Sequence, residues 1–161
     1  MLTVQAMRVA VAGTFGPIHD GHRTLLAHAL RFGEDGVILG LTSDEYARRT
    51  RSRPVPPYEN RKRAVRLELS AIDERDRAVT IRELTDAHEI VTTESSIDAL
   101  VVSPETASEL EVINDGRRER GFDPLTGIVA PYVLADDGER ISSTRIVRGE
   151  IDEHGAVLDA G

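Results

Sequence analysis

The sequence predicts an α/β fold, a doubly wound parallel sheet of five strands. Short apolar runs rich in valine, isoleucine and leucine alternate with longer segments in which apolar residues recur at helical spacing. The first two runs, residues 7–12 and 37–41, flank one such helical segment. A strand, a helix and a strand in this order form a right-handed crossover with parallel pairing, so the sheet is expected to be parallel.

The remaining elements follow the same alternation. Strands are expected at residues 7–12, 37–41, 78–84, 97–102 and 128–134, and helices from residue 24, at 44–46, 57–72 and 106–120, and from residue 146. Pro131 interrupts the fifth strand, which is therefore expected at an edge or bent. In the long helix the apolar face is buried, and the polar face is expected to carry Arg61, Lys62, Arg63 and Arg66. Residues 1–161 are expected to form one domain, with residues 1–6 as an extension before the first strand.

Composition limits the class of protein. Hydrophobic residues make up 40% of the 161 residues, so the chain is expected to fold. No apolar run is long enough for a membrane span, and the N-terminus lacks a signal-peptide pattern, so no membrane association is expected. The absence of cysteine excludes disulfides and thiolate metal sites and fits a cytoplasmic location.

The charge balance is acidic, with 28 carboxylates, 20 basic residues and a net charge of −8. Such a surface does not attract a nucleic-acid backbone, so no nucleic-acid partner is expected. Of the 20 basic residues, Lys62 is the only lysine and the others are arginine. Acidic excess with depleted lysine predicts adaptation to concentrated salt, as in a halophile. An ordinary acidic protein from a GC-rich genome is the alternative.

A glycine-rich turn with two histidines lies where the first strand passes into the first helix. The turn contains Gly13, Thr14, Phe15 and Gly16-Pro17. His19 and His22 are three residues apart, so a helical first turn would place them on one face. Gly21 between them lets a ligand approach the backbone. A strand-to-helix junction binds anions, because unpaired backbone N–H groups and the positive end of the helix dipole point outward together.

The string Gly13-Thr14-Phe15 followed by His19-x-Gly21-His22 resembles the signature of the HxGH nucleotidyltransferases. The resemblance implies a Rossmann-like nucleotidyltransferase fold, similar to the nucleotide-binding core of class I aminoacyl-tRNA synthetases. It also implies transfer of a nucleotidyl group from a nucleoside triphosphate to a phosphate or phosphorylated acceptor. A plain strand–turn–helix with two surface histidines is the alternative, and the length of the string favours the functional interpretation. These enzymes usually have aspartate where this chain has Gly16.

A second string, Ile141 to Ile146, resembles the ISSTxIR motif of the same superfamily. Ser142, Ser143 and Thr144 are all good helix N-caps, and hydroxyls with backbone N–H groups at a helix start can hold a phosphate. A capped helix without a ligand is the alternative. Val147 stands where the motif has arginine, and Arg145 or Arg148 is expected to make that contact instead.

Two middle strings resemble the archaeal and eukaryotic phosphopantetheine adenylyltransferases. Residues 102–106, Val-Ser-Pro-Glu-Thr, match an element that lies beside the adenosine in that family. Residues 113–125 show its order of Asn, basic residues, Gly and Pro-Leu. Glu105 is thus expected at the adenosine, and a carboxylate at a helix start is also stabilised by the dipole.

Four arginines, Arg48, Arg49, Arg51 and Arg53, follow the second strand in a segment expected to be a loop. They form either a solvated basic loop or a phosphate clamp, since the planar guanidinium grips oxygens in pairs. The family often has a lysine here, and this segment has none. Arg49 and Arg51 are the expected acceptor-binding residues.

The resemblance implies adenylyl transfer from ATP to 4'-phosphopantetheine, giving dephospho-coenzyme A and pyrophosphate in coenzyme A biosynthesis. His22 and His19 would be catalytic, and Mg²⁺ would bridge ATP oxygens without a protein cage. The expected ATP and phosphate contacts are Gly13, Thr14, Phe15, Gly21, Glu105, Ser142, Ser143, Thr144 and Arg145. A transition-metal site on the two histidines is disfavoured, because position 26 is Leu26 and supplies no third ligand.

Two alternatives remain at this stage. One is another member of the superfamily, such as a cytidylyltransferase for glycerol 3-phosphate or an adenylyltransferase for nicotinamide mononucleotide or FMN. Aromatic residues commonly stack on such rings, and the three Phe, three Tyr and no Trp argue mildly against the last two. The other is a non-catalytic module that binds ATP or coenzyme A. The oligomeric state is left open.

Overall fold

A computed structural model describes residues 6–73 and 75–158 of the chain. Five strands form one sheet: β1 (Val9–Gly13), β2 (Val37–Thr42), β3 (Val79–Leu84), β4 (Ala99–Val102) and β5 (Thr126–Val129). Their order is β3-β2-β1-β4-β5, and every neighbouring pair is parallel. The expected five-stranded parallel sheet is confirmed. Most of the expected extension at residues 1–6 lies outside the described residues.

Within the described residues, six helices connect and cover these strands: α1 (Asp20–Phe32), α2 (Asp44–Thr50), α3 (Tyr58–Ile72), α4 (Glu89–Thr93), α5 (Glu109–Glu119) and α6 (Ser143–Val147). In the described part of the chain, no helix has both the length and the apolar composition needed to cross a membrane.

The central strands β1, β2 and β4 are mostly buried on both faces, because alternate residues point to opposite sides and helices cover each side. Val9, Val11 and Leu39 contact α1 and α3 on one face, in a cluster with Leu26 and Val65. On the other face Ala10, Ile38 and Leu100 pack with Ile90 of α4 and Ile113 of α5. Helices on both faces make this the doubly wound arrangement that the sequence predicted.

Several expected boundaries are wrong. α1 begins at Asp20 rather than Thr24, and α6 begins at Ser143 rather than Ile146, since His19 and Ser142 act as their N-caps. β5 ends at Val129, before Pro131, and Leu134 forms only an isolated antiparallel bridge with Arg140. The short helix α4 was not expected.

Three arginines are also placed differently from expectation. Arg48 and Arg49 lie on the last turn of α2, so only the residues after Thr50 are in a loop. Arg61 was expected on the polar face of α3, but it is only 1% exposed and points under the turn that follows β1.

The chain crosses from β3 to β4 over the two strands between them, so β1 and β4 are neighbours at the point where the winding reverses. In open α/β sheets, ligands bind outside the carboxyl ends of the strands at this point. The glycine-rich turn follows β1 and Ser103 follows β4. The topology therefore brings the first motif and the Glu105 string to one edge of the sheet.

Candidate active site

A cavity of about 570 Å³ opens at this edge. Its walls come from the turn after β1, the start of α1, the segment after α2, the segment after β4 and the start of α6. The predicted site residues that line it are Gly13, Thr14, His19, Gly21, His22, Arg51, Glu105, Ser142, Ser143, Thr144 and Arg145. Segments more than 100 residues apart in sequence thus share one cavity.

The two histidines are held by backbone N–H groups at the start of α1. His19 is the N-cap, and its Nδ1 accepts the Gly21 N–H at 3.0 Å. His22 Nδ1 accepts the His19 N–H at 3.3 Å, and the two rings stack with centroids 3.8 Å apart. Because each Nδ1 is an acceptor, the proton of each neutral ring resides on Nε2. Each ring can therefore donate one hydrogen bond from Nε2.

Burial keeps both rings neutral. It lowers the pKa of His19 to about 4, and the Arg23 charge acts in the same direction. Burial also lowers the pKa of His22 well below its usual value, with the adjacent His19 adding to the effect. At neutral pH the pair consists of two uncharged donors.

Thr14 is the cavity residue at the bottom of the turn, only 4% exposed. Its hydroxyl oxygen accepts a hydrogen bond from Thr42 Oγ1 at 3.1 Å, and Arg51 Nη2 lies 3.4 Å away. With its oxygen accepting from both, the Thr14 O–H is left to donate to a ligand. Phe15 does not line the cavity. It is 1% exposed and supports the His22 ring from behind, with centroids 4.9 Å apart.

Of the two expected acceptor residues, the structure brings only Arg51 into the cavity. Arg51 is the C-cap of α2, where the backbone turns to an extended conformation. Arg49, two residues earlier on α2, is not part of the cavity lining, and its guanidinium lies over the Tyr46 ring at 5.4 Å. Arg53, which was not among the expected binding residues, also lines the cavity.

Arg53 joins the two motifs. Its Nη1 donates to the Gly16 carbonyl at 3.0 Å and its Nε donates to Thr144 Oγ1 at 3.1 Å. Burial lowers the pKa of Arg53, and the neighbouring Arg51 charge lowers it further. A cation desolvated beside another cation favours a bound anion. The clustered arginines in the sequence signalled this site, but sequence spacing alone did not distinguish Arg53 from Arg49.

The second motif is fixed by its own hydroxyls. Ser142 Oγ accepts the Arg145 N–H at 3.2 Å as the N-cap of α6. Ser143 Oγ donates to the Pro17 carbonyl at 2.7 Å, which ties α6 to the first turn. Arg145 is paired with Asp137 and Glu150, so its charge is largely balanced within the protein. Arg148 lines the cavity as well.

Glu105 also lines the cavity and pairs with Arg140, whose guanidinium lies 5.1 Å from the centre of the Tyr132 ring. Arg140 and Tyr132 were not predicted as site residues. The antiparallel bridge between Leu134 and Arg140 brings them together, and no motif in the sequence signalled it. Among the described residues no cluster of three or more His, Cys, Asp or Glu side chains could hold a metal ion.

Comparison with known proteins gives a family for this arrangement. The cytidylyltransferase-like family matches residues 10–149. A phosphopantetheine adenylyltransferase of Methanopyrus kandleri is 44% identical over 146 residues, which are 91% of each chain. Another of that name, from Archaeoglobus fulgidus, is 38% identical over 94% of this chain and all of the relative. The chain belongs to the phosphopantetheine adenylyltransferase family.

Solved structures agree with this family's fold. A protein of unknown function from Archaeoglobus fulgidus superposes with a TM-score of 0.68 and 32% identity, covering 76% of this chain and 88% of that one. A tyrosyl-tRNA synthetase from the same organism, complexed with L-tyrosine, superposes with a TM-score of 0.60 at 13% identity, over 90% of this chain and 61% of the synthetase. At that identity the likeness concerns the fold alone, and it agrees with the expected similarity in fold to the nucleotide-binding core of class I synthetases.

Proposed function

We propose that this phosphopantetheine adenylyltransferase family member transfers the adenylyl group of ATP to 4'-phosphopantetheine. A phosphate oxygen of the acceptor forms a bond to the α-phosphorus, the bond to the β-phosphate oxygen breaks, and pyrophosphate leaves with dephospho-coenzyme A as the other product. The relatives that carry this name align with nearly the whole chain. The observation that carries the proposal is the convergence of two neutral histidine donors and two arginines on one cavity.

Phosphoryl-type transfer of this kind needs alignment and positive potential more than covalent catalysis. His22 donates from Nε2 to an oxygen of the α-phosphate, where negative charge increases as the new bond forms. His19 fixes the His22 ring by stacking and contacts the same phosphate chain. Thr14 holds a phosphate through its hydroxyl, while Gly13 and Gly21 leave room for the chain of phosphates.

Different residues of the cavity lining suit different parts of the reactants. Arg51 and Arg53 hold the acceptor phosphate or the phosphate chain beside Thr14. The hydroxyls of Ser142 and Thr144 hold the outgoing pyrophosphate at the start of α6. Glu105, which also lines the cavity, contacts the adenosine.

The donor set fits Mg²⁺ carried by the nucleotide. Glu105 is the one carboxylate among the described cavity residues, and Arg140 already pairs with it. Mg²⁺ prefers phosphate and water oxygens in sites of this type, and when bound it would offset charge on the triphosphate. The protein's own part is to orient the phosphates with Thr14, the histidines and the arginines.

A panel of phosphorylated acceptors tests the proposal. ATP or CTP with Mg²⁺ is supplied with phosphopantetheine, nicotinamide mononucleotide, FMN or glycerol 3-phosphate, and pyrophosphate release is measured at low and high KCl. Turnover is expected with ATP and phosphopantetheine, and pantetheine without its phosphate should not react. Faster turnover with another pair would assign a different activity, and no pyrophosphate with any pair would make the chain a non-catalytic nucleotide-binding module.

A further inference from the structure

Arg61 is a buried arginine directly beneath the turn that follows β1. Its helix, α3, begins at Tyr58, and the side chain crosses from there to the carboxyl ends of β1 and β2. Burial of a cation is costly unless its N–H groups are paired. The hydrogen-bond partners of Arg61 therefore show which parts of the structure it holds in place.

Each nitrogen of the Arg61 guanidinium has a partner. Nε donates to the Pro56 carbonyl at 2.7 Å, and Nη2 donates to Asp44 Oδ1 at 3.0 Å. Nη1 donates to the Thr14 carbonyl at 3.0 Å and to Thr42 Oγ1 at 3.1 Å. The arginine thus connects the start of α2 and the loop before α3 to the floor of the cavity.

A relay of hydroxyls leads from Arg61 into the cavity. Because the Thr42 oxygen accepts from Arg61, the Thr42 O–H is directed to Thr14 Oγ1, 3.1 Å away. The Thr14 oxygen is then an acceptor, and its own O–H is available to the cavity. Arg61 thereby sets the direction in which Thr14 donates.

The backbone of the turn is strained at Phe15, which has a φ of 51°. The left-handed region is unfavourable for a residue other than glycine, because its Cβ approaches the backbone carbonyl oxygen. The carbonyls on the two sides of Phe15 are held by arginines, that of Thr14 by Arg61 and that of Gly16 by Arg53. These hydrogen bonds oppose relaxation of the turn.

Gly16 gives the Arg61 side chain its room. A Cβ at position 16 would lie 2.6 Å from Arg61 Cδ and 2.9 Å from its Cγ, with Pro56 Cδ at 3.2 Å. Any side chain here would displace the middle of the arginine rather than its flexible end. This accounts for the glycine where the superfamily usually has aspartate, and Asp44 supplies the carboxylate that pairs with Arg61.

We propose that Arg61 is a positioning residue that acts on bound ATP through Thr42 and Thr14, and that Gly16 is required for its placement. The inference rests on the proposed function for the identity of the nucleotide. Arg61 touches no substrate in this proposal. It orients the Thr14 hydroxyl, which donates a hydrogen bond to a phosphate.

The test is binding of the unreactive analogue α,β-methylene-ATP with Mg²⁺, followed by calorimetry without acceptor. Thr14→Val is expected to raise Kd about 10-fold through loss of a phosphate contact, and Thr42→Val to raise it about 3- to 10-fold while keeping the side-chain shape. Thr42→Ser, which keeps the hydroxyl, should bind nearly as wild type. The double variant Thr14→Val/Thr42→Val should bind no more weakly than Thr14→Val alone, since Thr42 acts through Thr14.

Variants of the arginine and glycine complete the series. Arg61→Lys and Gly16→Ala should each raise Kd about 3- to 10-fold, because both withdraw the Thr14 and Thr42 hydrogen bonds. The matched control is Arg117→Lys. Arg117 is also 1% exposed, but it donates to the carbonyls of Val91, Glu94 and Ile97, away from the cavity. The Arg117→Lys variant should lower Tm and leave Kd for the analogue unchanged.

The outcomes separate this inference from the proposed function. Wild-type binding without product from phosphopantetheine would reject the proposed acceptor, while the Kd series would still decide the role of Arg61. Additive effects of the Thr14 and Thr42 variants would overturn the relay. An Arg117→Lys effect on Kd as large as that of Arg61→Lys would reduce the role of Arg61 to general stability. A wild type that does not bind the analogue would overturn both proposals.

Discussion

Two imidazoles act as neutral donors in this site because each Nδ1 is already engaged by the backbone at the start of α1. A protonated ring would face the other ring at 3.8 Å and lose hydration on burial, which explains why both pKa values are lowered. A neutral donor in a dry site can still stabilise charge that grows on a phosphate oxygen. Substitution of His22 tests this role directly.

His22→Ala should lower kcat by roughly 10²–10³-fold, the scale for loss of one donor to a developing charge. KM for ATP should change much less, because the contact strengthens mainly in the transition state. Steady-state kinetics with pyrophosphate detection gives both constants. A steep rise in KM at constant kcat would identify His22 as a ground-state binding residue and contradict this mechanism.

Arg51 and Arg49 form a natural matched pair, since both belong to the C-terminal end of α2 and only Arg51 reaches the cavity. Arg51→Ala should raise KM for phosphopantetheine by about 10- to 150-fold, as expected for loss of a charge-assisted phosphate contact. Arg49→Ala should leave it unchanged. Equal effects of the two substitutions would indicate that long-range charge, rather than a direct contact, determines acceptor binding.

At the scale of the secondary-structure elements, the N-cap of α1 is also an active-site residue, so protonation of His19 affects the stability of the helix. His19 stabilises the first turn only when its Nδ1 is unprotonated, because a protonated ring cannot accept the Gly21 N–H. In the folded protein its pKa is about 4, whereas the unfolded value is near 6.5. Between these values the unfolded chain binds more protons, so the free energy of unfolding falls as pH falls from about 6.5 to 4.

His19→Asn separates the cap from the titration. An asparagine side chain caps helices well and does not titrate, so the variant should keep most of the stability at pH 7.5 and lose less on acidification than wild type. The His19 contribution to that loss is at most roughly 3–4 kcal/mol, if the pKa difference between 6.5 and about 4 is expressed in full. Urea unfolding at pH 7.5, 6 and 4.5 measures it. Identical pH dependence in both proteins would show that His19 is not protonated on unfolding in this range.

The existence of most elements could be predicted because apolar runs and helical spacing are strong signals. The ends of these elements could not be predicted in the same way. A histidine N-cap, as at α1, is unusual, and the predicted fifth strand includes Pro131 whereas β5 ends two residues before it. Arg61 was misassigned because a charged residue on a helix normally faces water, and only the carbonyls and the threonine beneath the turn explain its burial. Within the two motifs, every predicted site residue except Phe15 lines the cavity. Arg53, Arg140 and Tyr132 required the tertiary structure.

At the scale of the whole molecule, charge is unevenly distributed. The chain carries a net charge of −8, yet its cavity is lined by Arg51, Arg53, Arg140, Arg145 and Arg148. An anionic substrate meets an acidic exterior and a basic cavity, so its attraction is local and short in range. Salt should consequently act on stability and on substrate binding in opposite directions.

The last prediction concerns this opposition. From low salt to about 1 M KCl the Debye length falls to about 3 Å, which screens repulsion among the excess carboxylates. Exposed ion pairs such as Arg82–Glu94 and Arg118–Asp115 weaken too, but each contributes at most about 1 kcal/mol. We therefore expect Tm to rise by several degrees across this range while KM for ATP increases.

Glu111→Lys/Glu119→Lys, at two exposed positions on α5, would halve the net charge to −4 and should reduce the rise in Tm. A melting temperature that stays flat or falls with KCl would show that the ion pairs outweigh the repulsion, and would remove the basis for a salt-adapted surface.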